Sequence, residues 1–312
     1  MNICITSVGT ATSVGVIKNI RKYNKSIKIV GTDINPYGYT AGSQLVDCYY
    51  QIPLAVEQDY KDIIFSILIK ENIDYFFPIS DIEIQTASLW SFPMGCKCLL
   101  AKKSVLNLVK DKLQCTLEME KIGLHCPPIL ESGYMEKCIL RDRIGVGSKG
   151  IHIIDNAKNV IVKENQFIQQ YISGKEYTVD VLCDNDGHPF YIIPRVRLEV
   201  KAGVATKVKI EDQQEIIGDV KRVLKQISFP GFSNFQFIRS DAGMNYFIEI
   251  NPRIGGCTSA SLLAAPTMFA LFMEMISGFV PKDILDRKIN SDVRWGTVVT
   301  RYYEEIVYYG KK

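Results

Sequence analysis

Phe232-Ser233-Asn234-Phe235-Gln236-Phe237-Ile238-Arg239-Ser240 and Asn245-Tyr246-Phe247-Ile248-Glu249-Ile250-Asn251-Pro252-Arg253 read as two strands joined by a turn at Asp241-Ala242-Gly243. Antiparallel pairing through that turn brings the Gln236 amide beside Glu249. Period-two spacing puts Glu249 and Asn251 on one face. Phe247, Ile248 and Ile250 mark the second strand as central, which argues against a merely solvated polar face. Carboxylate and amide oxygens set out this way suit Mg²⁺, which keeps several waters and bridges substrate phosphates. Gln236, Glu249 and Asn251 are therefore candidate metal ligands.

Upstream of this pair the chain is rich in strands. CILRD begins at Cys138, and a glycine-rich turn leads to GIHII at Gly150–Ile154. FIQQYI, EYTVDVLCD and PFYIIPRVRLEV follow, then a helix over 211–227. In the loop Arg141-Asp142-Arg143-Ile144-Gly145-Val146-Gly147-Ser148-Lys149-Gly150, three glycines with Ser and Lys allow backbone N–H groups to approach phosphate oxygens. It is not a Walker A loop, because no helix with G-K-[S/T] follows. A plain glycine-rich hairpin fits the same letters. In Pro194–Glu199 the alternation puts Arg195, Arg197 and Glu199 on one face. Two guanidinium groups there suit a triphosphate or a substrate carboxylate, and a solvated sheet face is the competing reading.

The amino-terminal part has a different pattern. Ile3–Val8 is a short apolar run, followed by a loop over Gly9–Gly15, a helix to about Tyr23, and a second run from Ile27 ending at Asp33. This β-α-β opening implies a parallel sheet that binds ligands at the carboxyl ends of its strands. The loop is not a G-x-G-x-x-G, so a structural Rossmann-like domain is expected in preference to a dinucleotide site with Asp33 on a ribose. A helix over Tyr60–Glu71 and a strand over Tyr75–Pro78 lead to Ser80-Asp81-Ile82-Glu83, which reads equally as a ligand contact or an acidic helix start. The pattern changes after Leu100, where a helix carries Asp111 and Lys112. A domain boundary is placed near residue 98.

Composition narrows the class. With 312 residues, 47% hydrophobic and 23% charged, the chain has the balance of a globular protein of about two domains. Thirty-seven Lys and Arg against thirty-four Asp and Glu leave a net charge of +3, too small to imply nucleic-acid or membrane binding. Nine cysteines without a C-x-x-C pair point to free thiols and away from structural zinc. The most apolar window, Leu262–Val280, contains Pro266, Glu274 and Gly278 and reads as a buried helix, so a cytoplasmic protein is expected. The three histidines, His125, His152 and His188, lie without partners in spacing and receive no role.

These motifs together resemble the ATP-grasp superfamily, and within it the ligases related to the large subunit of carbamoyl-phosphate synthetase. The resemblance rests on RDRIGVGSKG, QQYISGKEYTVD and FSNFQF…YFIEINPRIGG in that order, behind an amino-terminal sheet domain. It implies an α/β (α+β ATP-grasp) fold: a Rossmann-like parallel-sheet domain at 1–98, then an ATP-grasp domain at 99–312 with a small lid at about 115–172. It also implies a nucleotide site. Gly145, Gly147, Ser148, Lys149 and Gly150 resemble the flap over the ATP phosphates, and Arg141 and Lys112 the basic phosphate contacts. Gln169 would face adenine, the backbone of Gln170, Tyr171 and Ile172 would bond its edge, and Glu176 would hold the ribose. Gln236, Glu249 and Asn251 match the metal ligands, for one Mg²⁺ or two, with Mn²⁺ able to substitute. Arg253 matches an arginine near the transferred phosphoryl group, and similar proteins place an arginine like Arg195 in the cleft.

Three departures stand out. Asp142 replaces the usual Pro, Gln170 an acidic residue, and Asn156–Asn165 is short for a lid helix. None removes a metal ligand. The resemblance implies an ATP-dependent carboxylate–amine ligase that works through an acyl phosphate. Its partners would be a small carboxylate and an amine, amino acids among the candidates, with a homodimer in keeping. A kinase that stops at phosphoryl transfer is the alternative, and a non-catalytic nucleotide-binding module is a third reading that the retained Glu249 and Asn251 disfavour.

Overall fold

A computed structural model describes residues 1–145, 150–201, 203–278 and 288–309. The candidates Gly147, Ser148 and Lys149 lie outside these residues. Near the amino terminus, β1 (Asn2–Ile5), β2 (Lys28–Asp33), β3 (Cys48–Gln51) and β4 (Tyr75–Phe77) form a parallel sheet in the order β3-β2-β1-β4. Ile3, Cys4 and Ile5 are all fully buried, as the unbroken apolar run of a strand covered on both faces requires. The helix α1 (Ala11–Tyr23) starts on Thr10, whose side chain accepts from the Ser13 amide, and ends on Arg21 and Lys22, which complement its dipole. After α2 (Tyr60–Lys70), a reciprocal cap between Ser80 and Glu83 starts α3 (Asp81–Ala87).

Two antiparallel sheets follow. The smaller runs β5-β8-β6-β7, from β5 (Ile129–Leu130), β6 (Cys138–Asp142), β7 (Ile151–Ile154) and β8 (Gln166–Gln170). The larger comprises β9 (Gly174–Cys183), β10 (Pro189–Lys201), β11 (Val204–Ile210), β12 (Gly231–Ser240), β13 (Asn245–Asn251) and β14 (Val298–Thr300), in the order β13-β12-β9-β10-β11-β14. The segment 156–165 holds no helix, in keeping with its short length.

Helices cover the large sheet. The single helix expected around Asp111 is two, α4 (Lys103–Lys110) and α5 (Lys112–Lys121), because Asp111 leaves the helical conformation to cap α5. The helix α5 packs on β13 and shares its core, although the lid was expected to begin at about residue 115. Beyond α6 (Gln214–Leu224), the apolar window is likewise two buried helices, α7 (Thr258–Ala264) and α8 (Met268–Ser277), bent 104° at their junction. No single helix among the described residues is long and apolar enough to cross a membrane. Side chains of β1, α1, α8, β9 and β10 form one continuous core, so apolar packing runs across the boundary placed near residue 98.

Candidate nucleotide site

The hairpin β12–β13 pairs Gln236 with Glu249 and Asn234 with Asn251, so the register read from the turn is the one formed. Asn251 Nδ2 donates to Asn234 Oδ1 and to Glu249 Oε1, both at 3.2 Å. The other Glu249 oxygen, Oε2, lies 3.7 Å from Arg141 Nη2. One carboxylate and two side-chain amides make an oxygen-donor set with a single full charge. Such a set fits Mg²⁺ that arrives with phosphate oxygens and waters completing its shell.

Arg141, on β6, is only 4% exposed. Its Nη1 donates to Gln169 Oε1 at 3.0 Å, while Nε and Nη2 are buried without a hydrogen-bond partner. Burial pushes its pKa down and Glu249 pulls it back. Lys112, the first residue of α5, is lowered by the same burial, again against Glu249, with Arg141 adding to the lowering. Its Nζ donates to the Gly145 carbonyl at 2.6 Å and its amide to the Arg143 carbonyl at 2.8 Å. Lys112 therefore grips the near end of the glycine loop. At the far end, the Asp142 amide donates to the Gly150 carbonyl, and Gln166 Nε2 donates to Asp142 Oδ1 at 2.9 Å. Gly150 sits at φ +77°, where a Cβ would come within 2.2 Å of the Asp142 carboxylate. The acid that departs from the family pattern is thus turned to the loop's base.

The hinge differs in detail from expectation. Gln169 is buried, and its amide also reaches the Pro127 carbonyl at 3.4 Å. Its side-chain oxygen supports Arg141. The Gln170 amide donates to Pro128 and the Tyr171 amide to Lys137. Of the three amides expected at an adenine edge, those of Gln170, Tyr171 and Ile172, only that of Ile172 has no such bond. Lys137 Nζ stands 4.2 Å from the Tyr171 ring centroid. Glu176, half exposed, takes Arg197 Nη1 at 2.8 Å. A register shift at Leu198 breaks the face expected to carry Arg195, Arg197 and Glu199 together, and Glu199 pairs instead with Lys201 and Lys207.

Two acids complete the arrangement, and one was not singled out from sequence. Asp81, at the start of α3, receives Arg253 Nε at 2.7 Å and Nη2 at 2.9 Å. This fork joins the parallel-sheet domain to the end of β13. Burial disfavours the Arg253 charge, but Asp81 more than offsets it and holds the pKa above its usual value. The missed residue is Asp180, fully buried on β9. It accepts Arg195 Nε at 2.7 Å and the Thr258 and Ser261 hydroxyls at 2.7 and 2.6 Å. The signal for it was a lone acid between Val179 and Val181, since a buried charge needs a partner. Arg195 is thus anchored by Asp180 and through it to α7.

A buried guanidinium and a half-buried lysine that holds the start of a glycine loop face a carboxylate–amide hairpin beneath a small antiparallel sheet, an arrangement that could hold a nucleotide. The family comparison agrees: residues 109–257 match the ATP-grasp domain and residues 3–89 the PylC-like N-terminal domain. The chain thus combines a region similar to ATP-grasp domains with an amino-terminal region similar to PylC-like domains. It is 23% identical over 285 residues to the arginine-specific carbamoyl phosphate synthase large chain of Bacillus subtilis, covering 80% of this chain and 26% of that one. It thus spans about a quarter of that relative's length. Among solved structures it is similar to the biotin carboxylase domain of Hydrogenobacter thermophilus 2-oxoglutarate carboxylase, in complex with MgADP, ADP and bicarbonate, with TM-score 0.73, 17% identity, and 95% of this chain and 73% of that one covered. It is also similar to N5-carboxyaminoimidazole synthetase from Staphylococcus aureus, with TM-score 0.68, 16% identity, and 89% and 77% covered.

Proposed function

We propose that this chain is an ATP-dependent ligase that joins a carboxylate to an amine through an acyl phosphate. The observation that carries the reading is Arg141: a buried guanidinium with two unused nitrogens, 3.7 Å from the carboxylate of the candidate metal hairpin. Such donors stay unsatisfied at a cost unless an anion takes them. In this reading Arg141 and Lys112 contact the ATP phosphates, and the loop from Gly145 to Gly150 closes over them. Gln236, Glu249 and Asn251 would hold magnesium, which would supply neutralisation of phosphate charge during transfer of the γ-phosphoryl group to the substrate carboxylate. Arg253, oriented by Asp81, lies beside the transferred group, and Arg195, oriented by Asp180, points its remaining nitrogens at the acid. Ile172 and the carbonyls near it meet the adenine edge, and Glu176 the ribose. The amine then attacks the acyl carbon and phosphate departs. No nucleophilic side chain is required. The relatives that act on small molecules, and the dimer recorded for one of them, support small-molecule substrates and a homodimer here.

The test is ATP turnover with pooled carboxylates and amines, followed by mass spectrometry. Amide, ADP and inorganic phosphate are expected together. Glu249→Gln, which removes charge but little volume, should abolish turnover at any Mg²⁺ concentration while leaving the thermal melt nearly unchanged. A stable phosphorylated acid as the end product, or full activity of the variant, refutes the reading.

A further inference from the structure

The parallel-sheet domain holds a cavity of about 470 Å³ at the carboxyl ends of β1, β2 and β3, a volume typical of small-molecule sites. Two buried carboxylates stand in its wall, Asp33 (6% exposed) and Glu83 (5%). Every hydrogen bond they accept comes from a neutral group. Asp33 takes the Gly9 amide at 2.7 Å and the Asn35 backbone and side-chain amides at 3.1 and 2.8 Å. Glu83 takes the Thr6, Ser7 and Tyr60 hydroxyls and the Ser80 amide. No Lys, Arg or His lines the cavity among the described residues. Two buried negative charges without a counter-charge are costly, and a cation entering the cavity relieves that cost.

An anion finds the reverse. Gly9 and Thr10, just ahead of α1, line the cavity, and a free helix amino terminus is where a phosphate would ordinarily sit. Here the Gly9 amide is taken by Asp33 and the Thr10 amide by the Ser7 carbonyl. The carboxylate of Asp33 already occupies the anion position. Apolar side chains, among them Ile52, Ala55 and Ile82, also line the cavity, and Thr40 Oγ1 in the lining is buried without a partner. The cavity thus pairs an apolar surface with an acidic, hydrogen-bonding end. We propose that it binds an amine-bearing compound, an apolar body carrying a protonated amino group that faces Asp33 and Glu83.

The cavity adjoins the candidate phosphate site through a single helical turn. Ser80, Ile82 and Glu83 line it, while Asp81 between them holds Arg253. If the ligase reading holds, this compound is the amine partner, and that assignment rests on that reading. The binding claim does not.

Titration calorimetry on the full chain decides it, with 2-phenylethylammonium as probe, 3-phenylpropionate as the anion of similar body, and a non-hydrolysable ATP analogue in parallel. The cation is expected to bind and the carboxylate not. Asp33→Asn should weaken the cation by about tenfold or more, and Ala55→Trp, which fills the cavity, should abolish its binding. Both variants should keep ATP-analogue affinity within about twofold, since neither touches the phosphate site. The proposal is overturned by equal binding of the carboxylate, by no binding of the cation to protein that binds the ATP analogue, or by cation binding that survives both substitutions. Cation binding without ATP-analogue binding would uphold it and sink the ligase reading instead.

Discussion

The Arg141 guanidinium differs from every exposed arginine in this chain in one respect that matters: its free nitrogens have nowhere else to go. Nε and Nη2 are buried without a hydrogen-bond partner, Nη1 is tied to Gln169, and the Asp142 carboxylate next in sequence is engaged by Gln166. A surface pair between Arg141 and Asp142 would have been worth only about 0–1 kcal/mol, and it is not formed. A hydrogen bond to a charged group contributes about 1.5–3 kcal/mol, so Arg141→Ala should weaken a non-hydrolysable ATP analogue about tenfold to a hundredfold. Arg141→Lys should recover part of the loss, because a point charge still meets phosphate while the planar fork is gone. Calorimetry on the three forms measures this, and equal affinities would move the phosphate clamp to another residue.

Between α4 and α5 the decisive element is the break at Asp111. Its Oδ1 accepts the Leu113 and Gln114 amides at 3.1 and 3.2 Å, and Arg143 reaches both oxygens, the closer at 2.6 Å. Burial raises the pKa of Asp111, but Arg143 and the two amides outweigh it and hold it below the usual carboxylate value. A depressed carboxylate adds stability above its unfolded value, about 3.9, and that stability is lost as pH falls through the lower folded value. Asp111→Ala should therefore cost about 1 kcal/mol near neutrality, and its gap to the wild type should narrow below about pH 4. Thermal melts of both proteins from pH 7 to pH 2.5 test this, and a gap that stays constant rules out the charged contribution. What sequence could reveal at this scale follows from how local each cause is. The β12–β13 pairing was legible because turn and alternation lie within 22 residues (232–253) and fix Gln236 against Glu249. The Asp111 break was not, since its partner Arg143 stands on another element. Nor was the shift at Leu198, which arises from pairing with β11 and leaves no mark on the alternation of β10 itself. Gln169 lies on β8 and its side chain answers to Arg141 on β6, a pairing of sheet neighbours that periodicity alone does not specify.

Across the whole molecule the two parts meet in a shared core and in polar contacts that include the fork between Arg253 and Asp81, 172 residues apart in sequence. Distance along the chain is why Ser80–Glu83 read as a tie between ligand contact and helix start: Glu83 and Ser80 turned out to cap α3, and Asp81 faces away from that cap to hold Arg253. If Asp81 acts on turnover only by orienting Arg253, its loss must matter only while Arg253 is present. Asp81→Asn should lower ATP turnover about tenfold, a typical cost of a misplaced reacting group, with little change in KM for ATP. Arg253→Ala should lower it by about a hundredfold. The double variant should then be no slower than Arg253→Ala alone, because groups acting as a unit are not additive. Steady-state kinetics on the four proteins reads the cycle directly. Two losses that multiply would show that Asp81 contributes to turnover by a route of its own, and the bridge between the parallel-sheet domain and the ATP-grasp hairpin would lose its positioning role.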